Sequence, residues 1–380
     1  SLLRAGAKNY YSVTVLSDIE DYPAALEELK KNQGFTIEFN QKMALKAFAT
    51  TANYDATIYK GLFREVGAEE GPSENKIISL HKIQNLRYGE NPHQKAEYFL
   101  PTLEESPFEQ FSGKELSYNN LLDLDTLLRG CSIFQDNCAC VIVKHTTPCG
   151  TAKGNNSLDA FRKALDCDPI SAFGGIIGFT RSVDMETASA ITETFFEIVA
   201  APSFEDKVIE YFKEKKPNLR VLEISPKYTP KLQVTGNRVG FLIQEDKLPA
   251  FPQEEMGTWV GTPRPDLWDD LLFAWKTAAI TKSNAISIVK NGSALGIGGG
   301  FTNRVDAAAY ALNLAGEKAK DAVLASDAFF PFADTVELAA KAGIVAIIEP
   351  GGSIRDKEVM ERAEELGLSM FIGGTRTFRH

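Results

Sequence analysis

The sequence predicts an α/β protein in which a mostly helical N-terminal segment precedes two similar α/β units. Three observations predict this class. Short β-branched runs alternate with amphipathic helical patterns from about residue 86 onward. One order of segments, namely a strand, an alanine-bearing helix and a short polar stretch, occurs twice. The chain has 380 residues, 44% of them hydrophobic, and exceeds the size at which one core usually stops growing, so two or three domains are expected.

The elements follow from hydrophobic periodicity and from the residues that interrupt it. A Gly-, Pro-, Glu- and Ser-rich stretch predicts a linker after the helical segment, and a proline-rich stretch separates the two units. The predicted segments are the helical segment 1–66, the linker 67–85, the first unit 86–225, the connecting segment 226–265 and the second unit 266–380. Within them the sequence predicts helices over Leu122–Phe134, Leu158–Leu165, 266–280 and 305–319, and strands over 139–144 and 175–180.

The two units resemble each other in order rather than in identity. "VIVK" ends a predicted strand at Lys144, and "SIVK" ends another at Lys290. Each is followed by a predicted helix and later by a polar stretch, "DPISAFGG" or "SDAFFPFAD". We infer two copies of one unit, with a ligand groove where they meet. Two unrelated α/β halves that share this order by chance are an open alternative.

The charge balance excludes some classes of function. The 41 lysines and arginines against 51 aspartates and glutamates give a formal net charge of −10, which argues against a general nucleic-acid or membrane-surface binder. No apolar run approaches the roughly 20 residues of a membrane helix, and the first residues lack a signal-type apolar core. We expect a cytoplasmic protein that binds small molecules and no nucleic acid or membrane.

The cysteine pattern predicts neither disulfides nor a metal site. An odd number of cysteines in a large chain is typical of reduced thiols, and this chain has five: Cys131, Cys138, Cys140, Cys149 and Cys167. A deaminase-like zinc site needs a second cysteine three residues after Cys149, where the sequence has Ala152.

The stretch "VIVKHTTPCG", Val141 to Gly150, sets a lysine beside a histidine at the end of a predicted buried strand. Neighbours in a regular strand point to opposite faces. Lys144 and His145 therefore act on one ligand only if the strand stops between them and the chain turns. Pro148 and Gly150 are expected to lie in the loop that makes this turn.

Two further stretches suit anionic groups. "LRYGENPHQ", Leu86 to Gln94, is a rigid polar loop with an arginine for phosphate or carboxylate, although an ordinary turn with a solvated arginine fits its composition as well. "GIGGGFTNR", Gly296 to Arg304, predicts a strand that runs into a glycine-rich turn able to cradle a phosphate. Its G-x-G-x-G spacing is a poor dinucleotide fingerprint.

Two more stretches complete the candidate pocket. In "SDAFFPFAD", Ser326 to Asp334, phenylalanines between two acids suit a flat heterocycle, although phenylalanines are usually core. The C-terminal "GGTRTFRH" carries Arg376, Arg379 and His380, in a tail of a kind that is more often frayed than functional. Together the motifs describe arginines for a phosphate, an aromatic slot with an acid, and a Lys-His pair, a combination that suits group transfer to a nucleotide.

These motifs, with "TKSNAISIVKNG", resemble the aminoimidazole carboxamide ribonucleotide (AICAR) transformylase part of the bifunctional purine-biosynthesis enzymes, whose second activity is inosine monophosphate (IMP) cyclohydrolase. The resemblance runs from residue 1 to residue 380. It implies a pair of cytidine-deaminase-like α/β units without the catalytic zinc. It also implies 10-formyltetrahydrofolate as cosubstrate and interlocked homodimers with shared active sites, in which Arg87 is expected to reach across the interface.

The resemblance assigns roles residue by residue. It implies that His145 accepts a proton from the attacking amino group and that Lys144 stabilises charge on the formyl-transfer intermediate. The implied AICAR contacts are Arg87, Tyr88, His145, Gly174, Glu197, Asn284, Arg304, Phe329 and Arg376. The implied folate contacts are Val305, Asp334, Ser353 and Ile354. Glu197 stands where some members have aspartate, which lengthens its reach by one methylene.

The N-terminal segment departs from the family pattern. Residues 1–66 resemble the closing part of the cyclohydrolase domain, and Lys8 matches the cyclisation lysine, but the preceding nucleotide-binding part is absent. We expect this chain to transfer formyl groups and not to cyclise the product. A nucleoside-type deaminase and a nucleotide-binding regulator without chemistry are the rival hypotheses. The missing zinc signature argues against the first, and the adjacent Lys-His pair argues against the second.

Overall fold

The computed structural model describes residues 2–65, 76–102, 104–227, 229 and 231–380. They form two compact units, an N-terminal unit of Ser1–Asn85 and Glu97–Ser106 and a main unit of Leu86–Ala96 and Pro107–His380. Residues 67–75 of the predicted linker 67–85 lie outside the described residues. The predicted α/β class is confirmed. In the described part of the chain, no helix is both long and apolar enough to span a bilayer.

The N-terminal unit is mostly helical, as predicted for its first 66 residues. Its elements are the helices α1 (Leu2–Lys8), α2 (Tyr22–Asn32) and α3 (Ile37–Glu65) and the strands β1 (Leu80–Leu86) and β2 (Ala96–Pro101). Ala7 of α1 is buried against Ala44 and Ala47 of α3, and these small side chains allow the two helices to approach closely. The pairing of β1 with β2 was not predicted, because its residues show no regular alternation of buried and exposed positions.

The main unit alternates strands and helices. Its first part contains β3 (Phe108–Ser112), α4 (Tyr118–Ile133), β4 (Ala139–Lys144), β5 (Thr147–Lys153), α5 (Ser157–Leu165), α6 (Pro169–Ala172), β6 (Ile176–Phe179), α7 (Met185–Thr192), β7 (Ile198–Ala201), α8 (Val208–Lys215) and β8 (Arg220–Ile224). The rest contains β9 (Lys231–Asn237), β10 (Gly240–Asp246), β11 (Thr258–Val260), α9 (Trp268–Ile280), β12 (Ile286–Lys290), β13 (Ser293–Gly298), α10 (Arg304–Ala315), β14 (Val323–Ser326), α11 (Asp334–Lys341), β15 (Ala346–Glu349), α12 (Asp356–Glu365) and β16 (Ser369–Ile372).

A twelve-stranded mixed sheet carries an internal repeat. Its strand order is β11-β16-β15-β14-β12-β13-β5-β4-β6-β7-β8-β3. Outward from the β5–β13 contact, both sides show the same sequence of pairings: two antiparallel, two parallel and a final antiparallel edge strand. We call Phe108–Ile224 the first repeat and Thr258–Ile372 the second repeat. The inferred duplication is thus present in the topology, whereas a cytidine-deaminase-like character stays a prediction.

Three hydrophobic clusters hold the sheet between its helices. Strand β4 is buried at every position before Lys144, as its β-branched run predicted. Helix α4 begins four residues earlier than Leu122 because Ser117 and Asn120 form a capping box at its N-terminus. Helix α10 ends at Ala315, before the predicted residue 319, because Gly316 adopts a φ of 53° and a short 3-10 turn follows.

The predicted loop positions of Pro148 and Gly150 are wrong, because both lie inside β5. Pro148 is tolerated there beside a register shift between Ile142 and Val143. Gly150 is required by close packing, since a Cβ at this position would lie 2.1 Å from the Ala164 carbonyl oxygen of α5.

The glycine-rich stretch 296–300 is likewise only partly a turn. Gly296 and Gly298 lie in β13, where their Cβ atoms would meet carbonyl oxygens of α10 at 2.0 Å and 2.1 Å. These glycines let a helix approach a strand, and Gly296 is equivalent to Gly150 of the first repeat. The expectation of a phosphate cradle therefore does not apply to the first half of the motif.

We predict that Gly296→Ala lowers the free energy of unfolding by about 1–3 kcal/mol, because the added methyl group overlaps the Ala311 backbone. Chemical denaturation measures the change. Gly61→Ala in α3 is the control, since its Cβ meets nothing within 4 Å and alanine favours a helix. Equal stability of Gly296→Ala and the unmodified protein would contradict the packing argument.

Candidate active site

The turn between β4 and β5 presents His145. Strand β4 ends at Lys144, and His145 and Thr146 follow with φ values of 54° and 61°. A two-residue hairpin connection with positive φ at both positions is typical of a type I′ turn, which favours Asn-Gly. Histidine and threonine adopt this conformation at a cost of roughly 1–2 kcal/mol each. The prediction that the strand ends between Lys144 and His145 is confirmed. The His145 side chain is exposed in the turn that follows.

Helix α4 holds this turn through two polar side chains. The Asp123 carboxylate accepts a hydrogen bond from the Thr146 backbone N–H at 2.6 Å. Thr126 donates its hydroxyl to the Thr146 carbonyl oxygen at 3.2 Å. Asp123 was missed in the sequence because its only local signal is an acid on the partly buried side of an amphipathic helix.

The remaining predicted residues of the first repeat lie close to this turn. Lys144 Nζ donates to the Phe173 carbonyl oxygen at 2.6 Å, so the lysine contacts the backbone just before Gly174. Gly174 has a φ of 75° and donates its N–H to the Phe195 carbonyl oxygen at 2.8 Å. This bond brings the segment that precedes Glu197 next to Gly174. The structure therefore brings Lys144, His145, Gly174 and Glu197 together.

Glu197 is held by two side chains. Asn120 Nδ2 donates to its carboxylate at 2.7 Å, and Arg220 NH1 lies 3.5 Å from the same oxygen. Its acidic group therefore has a fixed position at the start of β7. The negative charge of Glu197 also acts on Asp123, in the direction that raises the pKa of Asp123.

A buried polar cluster lies beside the start of β12, which reaches the same edge of the sheet as the His145 turn because β5 and β13 run antiparallel. Asp327 is fully buried and accepts from Arg304 NH2 at 2.7 Å, from the Ala285 N–H at 3.1 Å and from the Ser283 hydroxyl. Arg304 also donates Nε to the Ser326 hydroxyl at 2.8 Å and is 8% exposed. The structure thus places Arg304 in a buried ion pair at the start of α10.

The C-terminal segment connects the His145 turn with the polar cluster around Asp327. Arg379 NH2 donates to the Thr126 hydroxyl at 2.7 Å, and Thr126 in turn bonds Thr146. The backbone of Arg379 pairs with Ser283, whose hydroxyl donates to Asp327. Arg379 is therefore bound on both sides, and the frayed tail that its composition favoured is not observed.

Three other predicted AICAR contacts are Asn284, Phe329 and Arg376. Asn284 Nδ2 donates to the Phe301 carbonyl oxygen at 2.9 Å. Phe329 is half-buried, whereas its neighbour Phe330 is fully buried in the core. Arg376 is exposed, with its guanidinium carbon 4.6 Å from the centre of the Phe378 ring. The phenylalanine stretch therefore divides between core and open surface.

The predicted folate residues lie at the start of α11, in the segment before α12 and in α10. Asp334 is exposed at the first position of α11. Ile354 is fully exposed, and the preceding Ser353 donates its N–H to Asp356 at 2.9 Å. The Arg355 guanidinium lies 4.6 Å from the centre of the Phe332 ring and so connects the segment before α12 with the residues just before α11. The last predicted folate residue, half-buried Val305, follows Arg304 in α10.

The last three predicted residues are Arg87, Tyr88 and Lys8. Arg87 is exposed and stacks over the ring of Tyr88 at 5.5 Å. Over the ranges that the structure describes, no hydrogen bond or ion pair connects Arg87 with the residues around His145. Lys8 is exposed at the end of α1, in the N-terminal unit. The described residues also contain no group of three or more His, Cys, Asp or Glu side chains arranged to hold a metal ion.

Comparison with known proteins identifies the family. The AICARFT/IMPCHase bienzyme family matches residues 6–314. Bifunctional purine biosynthesis protein PurH of Clostridium botulinum is 44% identical over 383 residues, which cover 100% of this chain and 74% of that protein. The PurH proteins of Nostoc punctiforme and Persephonella marina are each 43% identical over 100% of this chain and 75% of their own lengths.

The chain belongs to the AICARFT/IMPCHase bienzyme family. The resemblance inferred from the motifs is thereby confirmed, and the deaminase and the non-catalytic regulator are not favoured. The chain spans about three quarters of the length of these relatives in the family. A solved structure of Acinetobacter baumannii RibD matches 28% of this chain and 34% of its own, with 17% identity and a TM-score of 0.21, which is too low to support an argument about the fold.

One buried acid beside the predicted ligand residues of this AICARFT/IMPCHase family chain has an altered pKa. Glu349 ends β15, is 1% exposed and accepts the Gly351 N–H at 2.8 Å. Burial raises the pKa of its carboxyl from 4.5 to about 7, and the Asp356 carboxylate adds to the rise, whereas Gly351 and Arg304 oppose it. The folded protein therefore binds a proton here more tightly than the unfolded chain does.

We predict that Glu349 makes the protein less stable as pH rises between 4.5 and about 7. Above that range the ionised group costs up to about 3 kcal/mol, because one pKa unit corresponds to about 1.4 kcal/mol. Glu349→Gln should therefore be more stable than the unmodified protein at pH 8 and equally stable at pH 4.5. Denaturant unfolding at both pH values tests this, with the exposed Glu361→Gln as control. An equal difference in stability at both pH values would contradict the prediction.

Proposed function

We propose that this chain transfers the formyl group of 10-formyltetrahydrofolate to the 5-amino group of AICAR, with His145 as the base and Lys144 as the stabilising cation. The carrying observation is the β4–β5 turn, which presents an exposed histidine directly after a lysine fixed to the Phe173 backbone. Membership of the AICARFT/IMPCHase family supports the reaction, and the position of Gly174 and Glu197 beside the pair supports the site.

The chemistry requires the two groups that the turn supplies. An aromatic amine beside a carboxamide is a weak nucleophile, so its proton must leave as the nitrogen bonds to the formyl carbon. A neutral imidazole accepts that proton, and histidine is the side chain most often used in this way. The formyl oxygen gains negative charge until the bond to folate N10 breaks, and a fixed ammonium at Lys144 stabilises it.

Lys144 retains donors for this task. Its ammonium uses one N–H for the Phe173 carbonyl oxygen at 2.6 Å. A protonated lysine carries further N–H groups on the same nitrogen, which remain for an oxyanion. The hydrogen bond to Phe173 thus fixes the position of the ammonium group and leaves its other N–H groups for the substrate.

AICAR is proposed to lie between the His145 turn and the polar cluster of the second repeat. Arginines suit the phosphate because a guanidinium offers paired donors to its oxygens, and the proposed set comprises Arg87, Arg304 and Arg376. The Phe329 ring provides an apolar wall for the imidazole ring, and Tyr88, Gly174, Glu197 and Asn284 provide the remaining proposed contacts. The hydrogen bonds from Thr126 through Arg379 to Ser283 support this placement, since they connect the His145 turn with the polar cluster around Asp327.

The folate is proposed to lie against the loops of the second repeat. The exposed Asp334 carboxylate accepts from the N–H groups of the pterin ring, while Val305, Ser353 and Ile354 form the rest of the proposed contact. The full exposure of Ile354 supports this role, because an uncovered isoleucine in a loop gains from contact with an apolar ligand.

The proposal extends to assembly and to the second family activity. We place the chain in a cytoplasmic homodimer with shared sites, in which Arg87 reaches the AICAR site of the partner. The exposure of Arg87 within its own chain supports this. Five free cysteines support a reducing compartment. Lys8 is assigned to the IMP cyclohydrolase activity of the full-length protein, in the helical N-terminal unit.

We predict that His145→Ala reduces formyl transfer at least a hundredfold, since general-base catalysis contributes roughly 10²–10⁴. AICAR affinity should change only a few-fold, because the arginines hold the phosphate. A formyl-transfer assay and calorimetry measure the two effects. His81→Ala, in the ribbon strand β1 of the N-terminal unit, is the matched control. Near-normal turnover of His145→Ala would show that His145 is not the base.

We predict that Asp334→Asn raises the KM for 10-formyltetrahydrofolate about tenfold and leaves AICAR affinity nearly unchanged. An amide accepts through one oxygen only and presents an N–H to the pterin donors. Steady-state kinetics with each substrate varied in turn measure this. The control is Glu361→Gln, an exposed acid on α12. An equal loss for both substrates would refute the folate assignment.

A further inference from the structure

The same hairpin turn occurs once in each repeat. In the first repeat, His145 and Thr146 connect β4 to β5 with φ values of 54° and 61°. In the second, Asn291 and Gly292 connect β12 to β13 with φ values of 54° and 68°. The two turns therefore have the same backbone form at equivalent places, and only the residues differ.

An aspartate from the preceding helix binds each turn. Asp270 of α9 accepts from the N–H groups of Asn291 and Gly292, both at 2.7 Å. Asp123 of α4 accepts from the Thr146 N–H at 2.6 Å. The aspartate is thus a feature of the repeated fold.

The lysine before each turn is repeated as well. Lys290 Nζ donates to the Lys320 carbonyl oxygen at 2.7 Å, and Lys144 Nζ donates to the Phe173 carbonyl oxygen at 2.6 Å. Both carbonyls belong to the segment that leads into the next strand. The two repeats therefore differ in the residues of the turn. The first repeat has His145 and Thr146 where the second has Asn291 and Gly292.

The two turns depend on their aspartates to different degrees. Asn-Gly adopts positive φ at both positions with little strain, whereas a histidine and a β-branched threonine do not. The first turn therefore relies more on the bond from Asp123 than the second relies on Asp270. The helix aspartate occurs in both repeats, and in the first repeat it is needed to hold the turn that presents the His145 imidazole.

The charges around Asp123 show a second effect. The groups that act on it are His145, the Glu197 carboxylate held by Arg220, and the Cys149 thiol, which Lys144 also faces. Burial raises the pKa of Asp123, whereas the Thr146 N–H and the charge of His145 act in the opposite direction. Opposite charges attract, so the Asp123 carboxylate stabilises positive charge that forms on His145 during the reaction.

We propose that Asp123 is a positioning residue for the catalytic base: it holds the left-handed turn that presents His145 and stabilises the imidazolium formed when that ring takes the amine proton. The proposal rests on the assignment of His145 as the base. The proton moves from the AICAR amino nitrogen to the imidazole and later to the folate N10, and Asp123 stays ionised throughout.

Three variants separate the two effects. Asp123→Asn keeps an oxygen that accepts from Thr146 and removes the negative charge, whereas Asp123→Ala removes both. Asp270→Asn makes the same chemical change at the Asn-Gly turn of the second repeat and serves as the matched control. Each variant is measured for formyl-transfer kcat and for the AICAR KM. The imidazole of His145 is titrated by NMR among the chain's four histidines and assigned by its absence in His145→Ala.

For Asp123→Asn we expect kcat to fall about three- to tenfold, the AICAR KM to stay within twofold, and the His145 titration to move to lower pH. Asp270→Asn should leave all three unchanged. If Asp123→Asn shows normal kcat and an unmoved His145 titration, the proposal is overturned, even if Asp123→Ala fails to fold. If His145→Ala itself retains activity, the base assignment fails, which is a separate result.

Discussion

The hydrogen bond from the Thr146 backbone to the Asp123 carboxylate is the interaction on which the arrangement of the proposed catalytic pair depends. Two neighbours in a strand point to opposite faces, so the proposed joint action of Lys144 and His145 requires that the backbone turn directly after Lys144. The turn places His145 and Thr146 at positive φ, which strains the backbone. Such strain persists only where surrounding contacts hold the conformation. Thr126 and Arg379 extend the same support to the polar cluster of the second repeat.

The duplication explains why the proposed catalytic pair has a structural counterpart in the second repeat. Both repeats keep the lysine and the helix aspartate, and only the first has an imidazole in the turn. At the same edge of the sheet as the His145 turn, the second repeat contains the buried Asp327, which accepts hydrogen bonds from several donors. In the proposed site, the first copy supplies the chemistry and the second supplies rigid walls for the substrates. The sheet contact between β5 and β13 sets their distance.

Sequence reasoning succeeded where the signal is local. The β-branched run before Lys144 predicted a buried strand and its end, and the order of segments predicted the duplication now seen in the sheet. It failed where the decisive contact is distant in the chain. The sequence predicts a loop at Gly150, because only the packed helix α5 shows why a strand needs glycine there. Asp123 and the Arg304–Asp327 ion pair have no sequence signal, since their partners are brought close only by the tertiary fold.

A crystal structure of this protein with bound AICAR tests the central claim most directly, because it locates the amino group relative to the proposed base. The account predicts that this nitrogen lies within hydrogen-bond reach of the His145 ring, about 2.6–3.2 Å, with the phosphate among the arginines. It also predicts that the Asp123–Thr146 bond is kept in the complex. AICAR bound with its amino group turned away from His145, or bound at the Asn291–Gly292 turn, would contradict the account.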